Sequence, residues 1–523
     1  MILEKIKSYD FLKGWRPYFI IFAIGFLLYG QTLFFDFTYF DDSTLILEKA
    51  AILQDIKNVG TVFTTDTFFS GDKFYYRPIL NLSFMIDAQL GGMSPFIYHL
   101  DNILLHCLAA LLVFYLLGRL VKQKPLAFFL SLIFLVHPIM TQAVAWLPGR
   151  NDSLLAIFAI AAFICFLNFS TRPRLASYLG YLALLFGALL TKETAVSLPP
   201  LIIFYFLFID SGRLQRAEKW LLVGGSAMIG FVWFIMRHLA LGGEPTNYFS
   251  AALGILRNSG ALLVHIGKLV LPVNLSVLPI LIDSTIIYGL IVSILIVILL
   301  FLSRQKRYNY IIFGVAWFLF FILPSFIRLN TLPDFLEHRL YLSFIGFLII
   351  IAEIDWLKNL DFNKKAVKII IVGILLFFSV VTFLHSNKFS DRLAFWRQAA
   401  KDSPHSPLAQ RNLGVMYYFN GEAGAAEEYY RRSLKINPQE PMVHNNLGVI
   451  YLERGNLKQA EEEFKAELEI NPSYDKAYLN LGDLYFKQNR PIEAERFWAA
   501  ALRVNSNNNE AYSRLLILQN QVR

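Results

Sequence analysis

The sequence is a succession of long apolar stretches joined by short polar links, and that alternation restricts the fold more than any single motif. A helix needs about 20 mostly apolar residues to cross a bilayer. Stretches of that order occur near residues 17–35, 96–117, 125–146, 152–169, 175–191, 194–210, 220–237, 284–302, 308–325, 339–355 and 366–385. With 56% hydrophobic residues, 48 Phe and a mean hydropathy of +0.48, the chain carries too much apolar surface for a water-soluble protein. The expectation is an all-α chain: a polytopic membrane domain of about eleven transmembrane helices over residues 1–386, then a soluble solenoid over 387–523.

Lys5, Lys7, Lys13 and Arg16 precede the first stretch, as in a signal peptide. That stretch is too long for a signal h-region and lacks a small-residue cleavage site, so it is expected to stay as an anchor. Cys107 and Cys165 both fall in apolar stretches, which excludes a disulfide framework or a cysteine metal site. The net charge of +9 is spread in small groups between stretches, as membrane orientation requires, and does not indicate nucleic acid.

Residues 251–275 are apolar but contain Arg257, His265, Lys268 and Pro272. If this segment does not cross, alternate loops collect the Lys and Arg: Arg119, Lys122 and Lys124; Arg172 and Arg174; Arg213, Arg216 and Lys219; Arg304, Lys306 and Arg307; Lys358, Lys364, Lys365 and Lys368. The positive-inside rule then places the N-terminus in the cytoplasm and residues 251–275 on the outer face or re-entering. On that outer face fall Asp41 and Asp42, Arg77, His99, Arg150 with Asp152, Lys192 with Glu193, Arg237 with His238, and Glu337-His338-Arg339. Ionisable residues at membrane depth are costly to hold, so their convergence on one side marks a site.

His99, Asn102 and His106 stand at i, i+3 and i+7 and form a polar stripe on one helix face. Stacked turns of one helix supply a line of ligands, not a point, so a hydrogen-bonded lining of a cavity is favoured over a metal site. His137-Pro138 should break the third stretch and free backbone carbonyls, which a wet cavity can satisfy. The long outer loop of residues 36–92, with Phe68-Phe69 and Phe74-Tyr75-Tyr76 ahead of Arg77-Pro78, suits short helices at the interface.

After His385 the apolar runs stop and a repeat of 34 residues begins. Asn412-Leu413-Gly414, Asn446-Leu447-Gly448 and Asn480-Leu481-Gly482 recur in register, as do Ala426, Ala460 and Ala494, and then Tyr430, Phe464 and Trp498. This is the tetratricopeptide pattern, one helix pair per unit. Full repeats are expected near 407–440, 441–474 and 475–508, with a half repeat at 391–404 as inner cap and a cap helix at 509–523. Asn412, Asn446 and Asn480 should form an amide ladder for the backbone of an extended acceptor, unless each caps or packs within its own repeat.

Taken together the chain resembles the transmembrane and tetratricopeptide-repeat-containing family, whose eukaryotic members are protein O-mannosyltransferases with a membrane domain of the C-type glycosyltransferase class. The resemblance rests on Phe40-Asp41-Asp42-Ser43, Tyr76-Arg77-Pro78, residues 99–106, His137-Pro138, Gly149-Arg150-Asn151-Asp152, Lys192-Glu193 and Glu337-His338-Arg339-Leu340-Tyr341-Leu342. It implies that acidic residues of the first outer loop serve catalysis and that basic residues of outer loops hold a lipid phosphate. The chain departs from the eukaryotic members in having about three repeats instead of a long array. The soluble part has no Asn-x-Ser/Thr acceptor site, which points to a bacterial relative in an inner membrane.

A sugar on a polyprenyl phosphate needs one base for the acceptor hydroxyl and fixed cations for the departing phosphate. Asp41 is the expected base and Asp42 its neighbour, and mutual repulsion should raise one pKa. Arg339, His338, Lys192 and Arg150 are the expected phosphate ligands. Arg77, His99, Asn102, His106, Asp152, Glu193 and Glu337 should line the cavity. No cofactor is required, although a divalent cation could sit at Asp41/Asp42. The expected reaction is inverting transfer of a hexose, such as mannose, to a protein hydroxyl, with the acceptor recruited by the repeats. No glycine-rich phosphate loop supports a nucleotide-sugar donor. A non-enzymatic membrane scaffold and a lipid-linked polysaccharide ligase or polymerase are the alternatives.

Overall fold

The computed structural model describes residues 10–69, 75–210, 212, 214–242, 248–327 and 335–522. Lys5, Lys7, Phe74 and Arg213 lie outside the described residues. Among those described, regular structure is helical throughout, and two compact units divide at residues 395 and 396.

In the first unit six helices are long and apolar enough to cross a membrane: Arg16–Phe34, Pro95–Leu120, Leu147–Thr171, Arg216–Leu241, Tyr308–Phe326 and Lys365–Phe389. The pair Lys124–Val136 and Pro138–Ala145 makes a seventh if its 49° bend is counted within one span. Leu175–Thr191, Glu193–Phe208 and Ile287–Leu302 are apolar but shorter. The tenth stretch, 339–355, corresponds to the turn Glu337–Leu340 and the buried helix Ser343–Ile351. At 1.5 Å per residue that helix is only about 14 Å long. The expected count of eleven is not confirmed: by length and composition six of the described helices, or seven with the bent pair, are able to cross, and the run at 339–355 builds a short helix buried by its neighbours.

The break at His137-Pro138 falls where expected, but its freed carbonyls are satisfied by side chains of other helices. Thr382 Oγ1, on the last span, donates to the Val136 carbonyl at 2.7 Å. His106 Nε2 lies 3.0 Å from the Leu135 carbonyl, and Nδ1 is 2.7 Å from the Tyr341 hydroxyl. The carbonyl requires Nε2 to be the donor, so Nδ1 accepts from the tyrosine. His106 thus ties off a broken helix instead of lining a wet cavity.

Residues 251–275 form no single span. The helices Tyr248–Arg257 and Gly260–Val270 are each far below bilayer length. Gly260–Val270 packs against Ile287–Leu302 through a glycine contact, since a Cβ on Gly289 would lie 1.8 Å from the Leu263 carbonyl oxygen. That close approach holds Lys268, which donates to Glu337 Oε1 at 2.8 Å. The outer loop folds into short helices as expected, among them Ala50–Leu53, Val59–Thr64 and Pro78–Gly91.

At the face expected to be cytoplasmic, the basic loops are pinned by a buried acid. Glu353 receives Arg307 Nε at 2.9 Å and Lys358 Nζ at 2.5 Å, while Arg307 Nη2 also reaches the Leu120 carbonyl at 3.0 Å.

The second unit is the expected solenoid. Helix pairs Pro407–Phe419 and Ala423–Ile436, Val443–Glu453 and Leu457–Ile470, Asp475–Lys487 and Pro491–Val504 are followed by Asn509–Val522. The 34-residue register has a steric cause: a Cβ on Gly414, Gly448 or Gly482 would press to 2.7, 2.6 or 2.4 Å on the ring of Tyr430, Phe464 or Trp498. The helix Arg392–Asp402 stands where the half repeat was expected, and the division at 395/396 falls within it instead of at 386/387.

The first unit contains a fully buried guanidinium. Arg150 Nη1 meets Asp87 Oδ2 at 2.5 Å and Asp101 Oδ2 at 3.2 Å; Nε donates to Asn102 Oδ1 at 2.7 Å and Nη2 to the Tyr98 carbonyl at 2.8 Å. Its plane lies 4.7 Å from the Phe84 ring. Removing one member of a buried pair leaves an uncompensated charge, at a cost of about 3–5 kcal/mol. Arg150→Met is therefore expected to lower the thermal retention of the purified protein sharply, while Arg119→Met at the exposed last turn of the helix Pro95–Leu120 leaves it near wild type. Equal retention in both would show that the Arg150 knot does not hold the domain together.

Candidate active site

The Asp41 loop follows the first span and is built around a buried neighbour. Asp42 is fully buried and accepts hydrogen bonds from the Thr38 amide at 2.5 Å, the Thr38 hydroxyl at 3.0 Å and the Phe40 amide at 2.8 Å. These bonds clamp Tyr39, whose φ of 56° is costly for a residue with a bulky side chain. Burial pushes the Asp42 carboxyl above its ordinary value, against the opposing pull of the Thr38 and Phe40 bonds. One carboxyl of the pair is thus raised as expected, but by burial and not by repulsion from its neighbour. Asp42 anchors the loop. Asp41 is half-buried, opens the turn before the π-helical residues Ser43–Leu47, and its backbone carbonyl is bound by Thr44 Oγ1 at 3.1 Å.

Two walls hold this loop. On one side the stem that follows the last span supplies the Ser390 carbonyl, which receives the Asp36 amide at 2.8 Å, the Arg392 guanidinium 5.3 Å from the Tyr39 ring, and Phe395 stacked on Phe40 at 6.0 Å. On the other, Phe40 stacks on Trp146 at 5.7 Å, and Trp146 lies 5.5 Å from the His338 ring. A chain of two ring contacts therefore connects the Asp41 loop to the basic residues.

Those residues form one cluster. Lys192 Nζ donates to Asp152 Oδ1 at 2.7 Å and reaches Asn151 Oδ1 at 3.3 Å. His338 Nε2 lies 3.7 Å from Asp152 Oδ2, and its backbone amide donates to Gln142 Oε1 at 3.2 Å. Arg77 clasps Glu193 through Nε and Nη2, both at 3.0 Å, and the Tyr76 amide adds a bond to Oε1 at 3.2 Å. The charges of Arg77 and Arg339 both act on Asp152 and Lys192, which places them within electrostatic reach. Arg339 is half-buried, with Nη1 3.4 Å from the Ser325 carbonyl. Among the described residues this group brings Lys192, Arg77 and Arg339 together with Asp152 and Glu193.

Other expected members go elsewhere. Arg150 is consumed by the Asp87, Asp101 and Asn102 knot and does not present a free fork to a phosphate. Asn102 donates to the Val144 carbonyl at 3.0 Å while accepting from Arg150, so it closes that knot instead of lining a cavity. His99 lies edge-on to Phe35 at 6.1 Å. Glu337 faces away from its neighbour His338: Lys268, the Ser276 amide at 3.1 Å and His385 at 3.5 Å surround it. Burial raises its carboxyl, yet Lys268 and His385 more than offset this and hold it down to about 2. A divalent cation at Asp41/Asp42 fits poorly, because both Asp42 oxygens already accept backbone amides. Among the described residues no group of three or more His, Cys, Asp or Glu is arranged for a metal.

The asparagine positions of the repeats are half-buried and used locally. Asn480 Nδ2 donates to Asn445 Oδ1 at 2.8 Å, Asn446 bonds the Tyr430 hydroxyl, and Asn412 Oδ1 accepts from Arg411 Nε at 3.1 Å. Asn446 and Asn480 thus bond across neighbouring repeats, whereas Asn412 bonds within its own. Sequence reasoning missed Trp146, Gln142 and Asp87, and gave no role of their own to Asp101 and Tyr341, which it held only within longer motifs. Of these only Asp87 carries a local signal, as a carboxylate between Ile86 and Ala88 with no basic residue nearby in sequence.

Residues 79–236 match the family model of dolichyl-phosphate-mannose-protein mannosyltransferase, and residues 387–441, 420–475 and 451–516 match tetratricopeptide-repeat models. The human protein O-mannosyl-transferase TMTC1 is 31% identical over 209 residues, covering 37% of this chain and 24% of that protein. The Caenorhabditis elegans protein O-mannosyl-transferase F38B6.6 is 25% identical over 442 residues, covering 80% of this chain and 62% of the relative. The solved first tetratricopeptide domain of Spaghetti (RPAP3) bound to an HSP90 peptide is 24% identical over 22% of this chain and 93% of its own, with a TM-score of 0.22 from which nothing is argued. The chain spans about a quarter of the length of the human relative it matches. It joins a region that matches the mannosyltransferase model to repeats that match tetratricopeptide models, the combination expected from its motifs.

If the Asp42 carboxylate is the anchor of the loop, Asp42→Asn turns an amide group toward backbone donors and loses a charge-assisted bond, the type roughly twice as strong as a neutral one. Hydrogen exchange at the Thr38 and Phe40 amides should then accelerate strongly, with the repeats unaffected. Unchanged protection at both amides would remove Asp42 from that role.

Proposed function

We propose that the chain is a multi-pass membrane glycosyltransferase that moves a hexose from a polyprenyl phosphate to a protein hydroxyl on the extracytoplasmic face. The observation that carries this reading is the cluster of Lys192, His338, Arg339 and Arg77, held by two carboxylates and joined through Trp146 and Phe40 to the Asp41 loop. The family of the matched region, whose description names a lipid-phosphate mannose donor and protein acceptors, supports the same class.

In the proposed step the acceptor hydroxyl attacks C1 of the sugar as the bond from C1 to the phosphate oxygen breaks. Asp41 takes the hydroxyl proton, and the departing phosphate leaves with the bonding pair as a lipid phosphate monoester. Lys192 and Arg339 stabilise its growing charge in a site where water is scarce and each charge counts for more. Asp152 orients Lys192 and His338 without contacting substrate. A single displacement inverts the configuration at C1. The positive-inside pattern sets the face, and the repeats supply the surface that selects the acceptor protein.

Purified protein given a labelled polyprenyl-phosphate hexose and a protein acceptor should transfer the sugar. Asp41→Asn keeps the size of the side chain and should reduce turnover by roughly 10² to 10⁴ with the fold intact. Arg339→Ala should raise KM and lower kcat together. Full turnover in Asp41→Asn would overturn the assignment of the base, and no turnover of any lipid-linked sugar by the wild-type protein would favour a scaffold.

A further inference from the structure

Trp146 stands between the two halves of the candidate site. Phe40, next to Asp41, stacks on its indole at 5.7 Å with the ring planes 21° apart, and the His338 ring lies 5.5 Å away at 43°. The side chain is 3% exposed, and among the described residues its Nε1 has no hydrogen-bond partner. A buried indole N–H is costly to leave unmet and ordinarily finds an acceptor. Stacking cannot supply one, because the N–H lies in the plane of the ring, at its edge, and a stacked neighbour covers only a face.

The backbone that carries Trp146 is held from several directions. Asn102 Nδ2 donates to the Val144 carbonyl at 3.0 Å and lies 3.5 Å from the carbonyls of Trp146 and Leu147. In the short helix Thr141–Ala145, Gln142 Nε2 donates to the Val277 carbonyl at 3.0 Å while its Oε1 holds the His338 amide. Gly149 closes the chain back onto that helix: a Cβ there would lie 2.3 Å from the Gln142 carbonyl oxygen. The unmet donor therefore sits on fixed backbone with its ring restrained by stacking, as a contact that recognises a ligand requires.

The neighbouring groups decide what the N–H meets. In the proposed reaction Lys192, His338 and Arg339 surround the phosphate and Asp41 takes the proton of the acceptor, so the part of the substrate between them is the sugar ring. We infer that Trp146 Nε1 donates a hydrogen bond to a hydroxyl oxygen of the transferred hexose; the inference rests on the function proposed above. An indole N–H is uncharged and donates only, which matches a neutral hydroxyl oxygen. Because the donor is buried, a hexose lacking that hydroxyl leaves it unmet again, and Trp146 thereby selects which sugar is transferred.

Trp146→Phe keeps an aromatic ring beside Phe40 and removes the N–H. It should lower kcat/KM for a polyprenyl-phosphate hexose by about tenfold, a ratio within the usual range for one such hydrogen bond. Among donors that each lack one hydroxyl, one should be about tenfold slower than the parent in the wild type and equal to it in Trp146→Phe, since both changes remove the same bond. Trp233, whose buried Nε1 is also without a partner among the described residues, lies on the helix Arg216–Leu241, which carries none of the residues of the cluster. Trp233→Phe should leave every constant near wild type. Benzothienylalanine incorporated at position 146 keeps the bicyclic shape without the N–H and should repeat the result if phenylalanine leaves the fold unstable. Binding gives a readout independent of turnover. In the full chain labelled with nitrogen-15 at the indoles, the resonance absent from the position-146 variant should shift on adding polyprenyl-phosphate hexose and stay in place with polyprenyl phosphate. A shift with both lipids would assign the N–H to the phosphate, and identical hydroxyl-deletion penalties in wild type and variant would show that it meets no sugar hydroxyl; either overturns the inference. A wild-type protein that neither binds nor transfers any lipid-linked hexose would overturn the proposed function, and this inference with it.

Discussion

The contact of 2.7 Å between Lys192 and Asp152 organises the site, because a buried ammonium in a membrane domain persists only with a counter-charge at hand. It fixes where Asp152 points, and Asp152 in turn sets the distance to His338. Asp152 is committed to Lys192 and Glu193 to Arg77, and the half-buried Arg339 adds its charge within electrostatic reach of both Asp152 and Lys192. Under the proposed function, an incoming phosphate would meet these groups already desolvated and aligned, which is where electrostatic stabilisation is largest.

The same constraint accounts for the other polar residues of the membrane domain. Arg150, Asp87 and Asp101 neutralise one another, as do Lys268, Glu337 and His385, and Glu353 with Arg307 and Lys358. Each knot joins segments distant in sequence, so charge pairing also locks helices that are too short to be held by the bilayer alone. The Asp41 loop is treated differently. Its anchor is a carboxylate spent on backbone amides, and its walls are aromatic, leaving Asp41 half-buried beside a ring stack that leads to His338.

Much of this was legible in the sequence where the signal is local. Hydropathy located the apolar helices, the 34-residue register located the repeats, and His137-Pro138 located the bend. The number of spans was not legible, because an apolar run such as that at 339–355 reads alike whether it crosses lipid or is buried by neighbouring helices. Partner choice was not legible either. Arg150 and Lys192 look equivalent as basic residues beside a span, yet three-dimensional neighbours give one a complete set of acceptors and the other a place in the cation cluster. Adjacent Asp41 and Asp42 likewise differ only in which way the left-handed Tyr39 turns the chain. The recurring asparagines were legible as a register but not by their partners: Asn446 and Asn480 bond across repeats, and Asn412 bonds its neighbour Arg411.

The central claim is that a lipid phosphate occupies the space among Lys192, His338 and Arg339, facing Asp41. Its most direct test is an experimental structure of the full chain with a non-hydrolysable polyprenyl-phosphonate sugar bound. The account predicts the phosphonate within hydrogen-bond distance of Lys192 or Arg339 and the anomeric carbon on the side of the Asp41 loop. A phosphonate held instead by Arg119, Arg307 and Lys358, at the opposite set of loops, would contradict it.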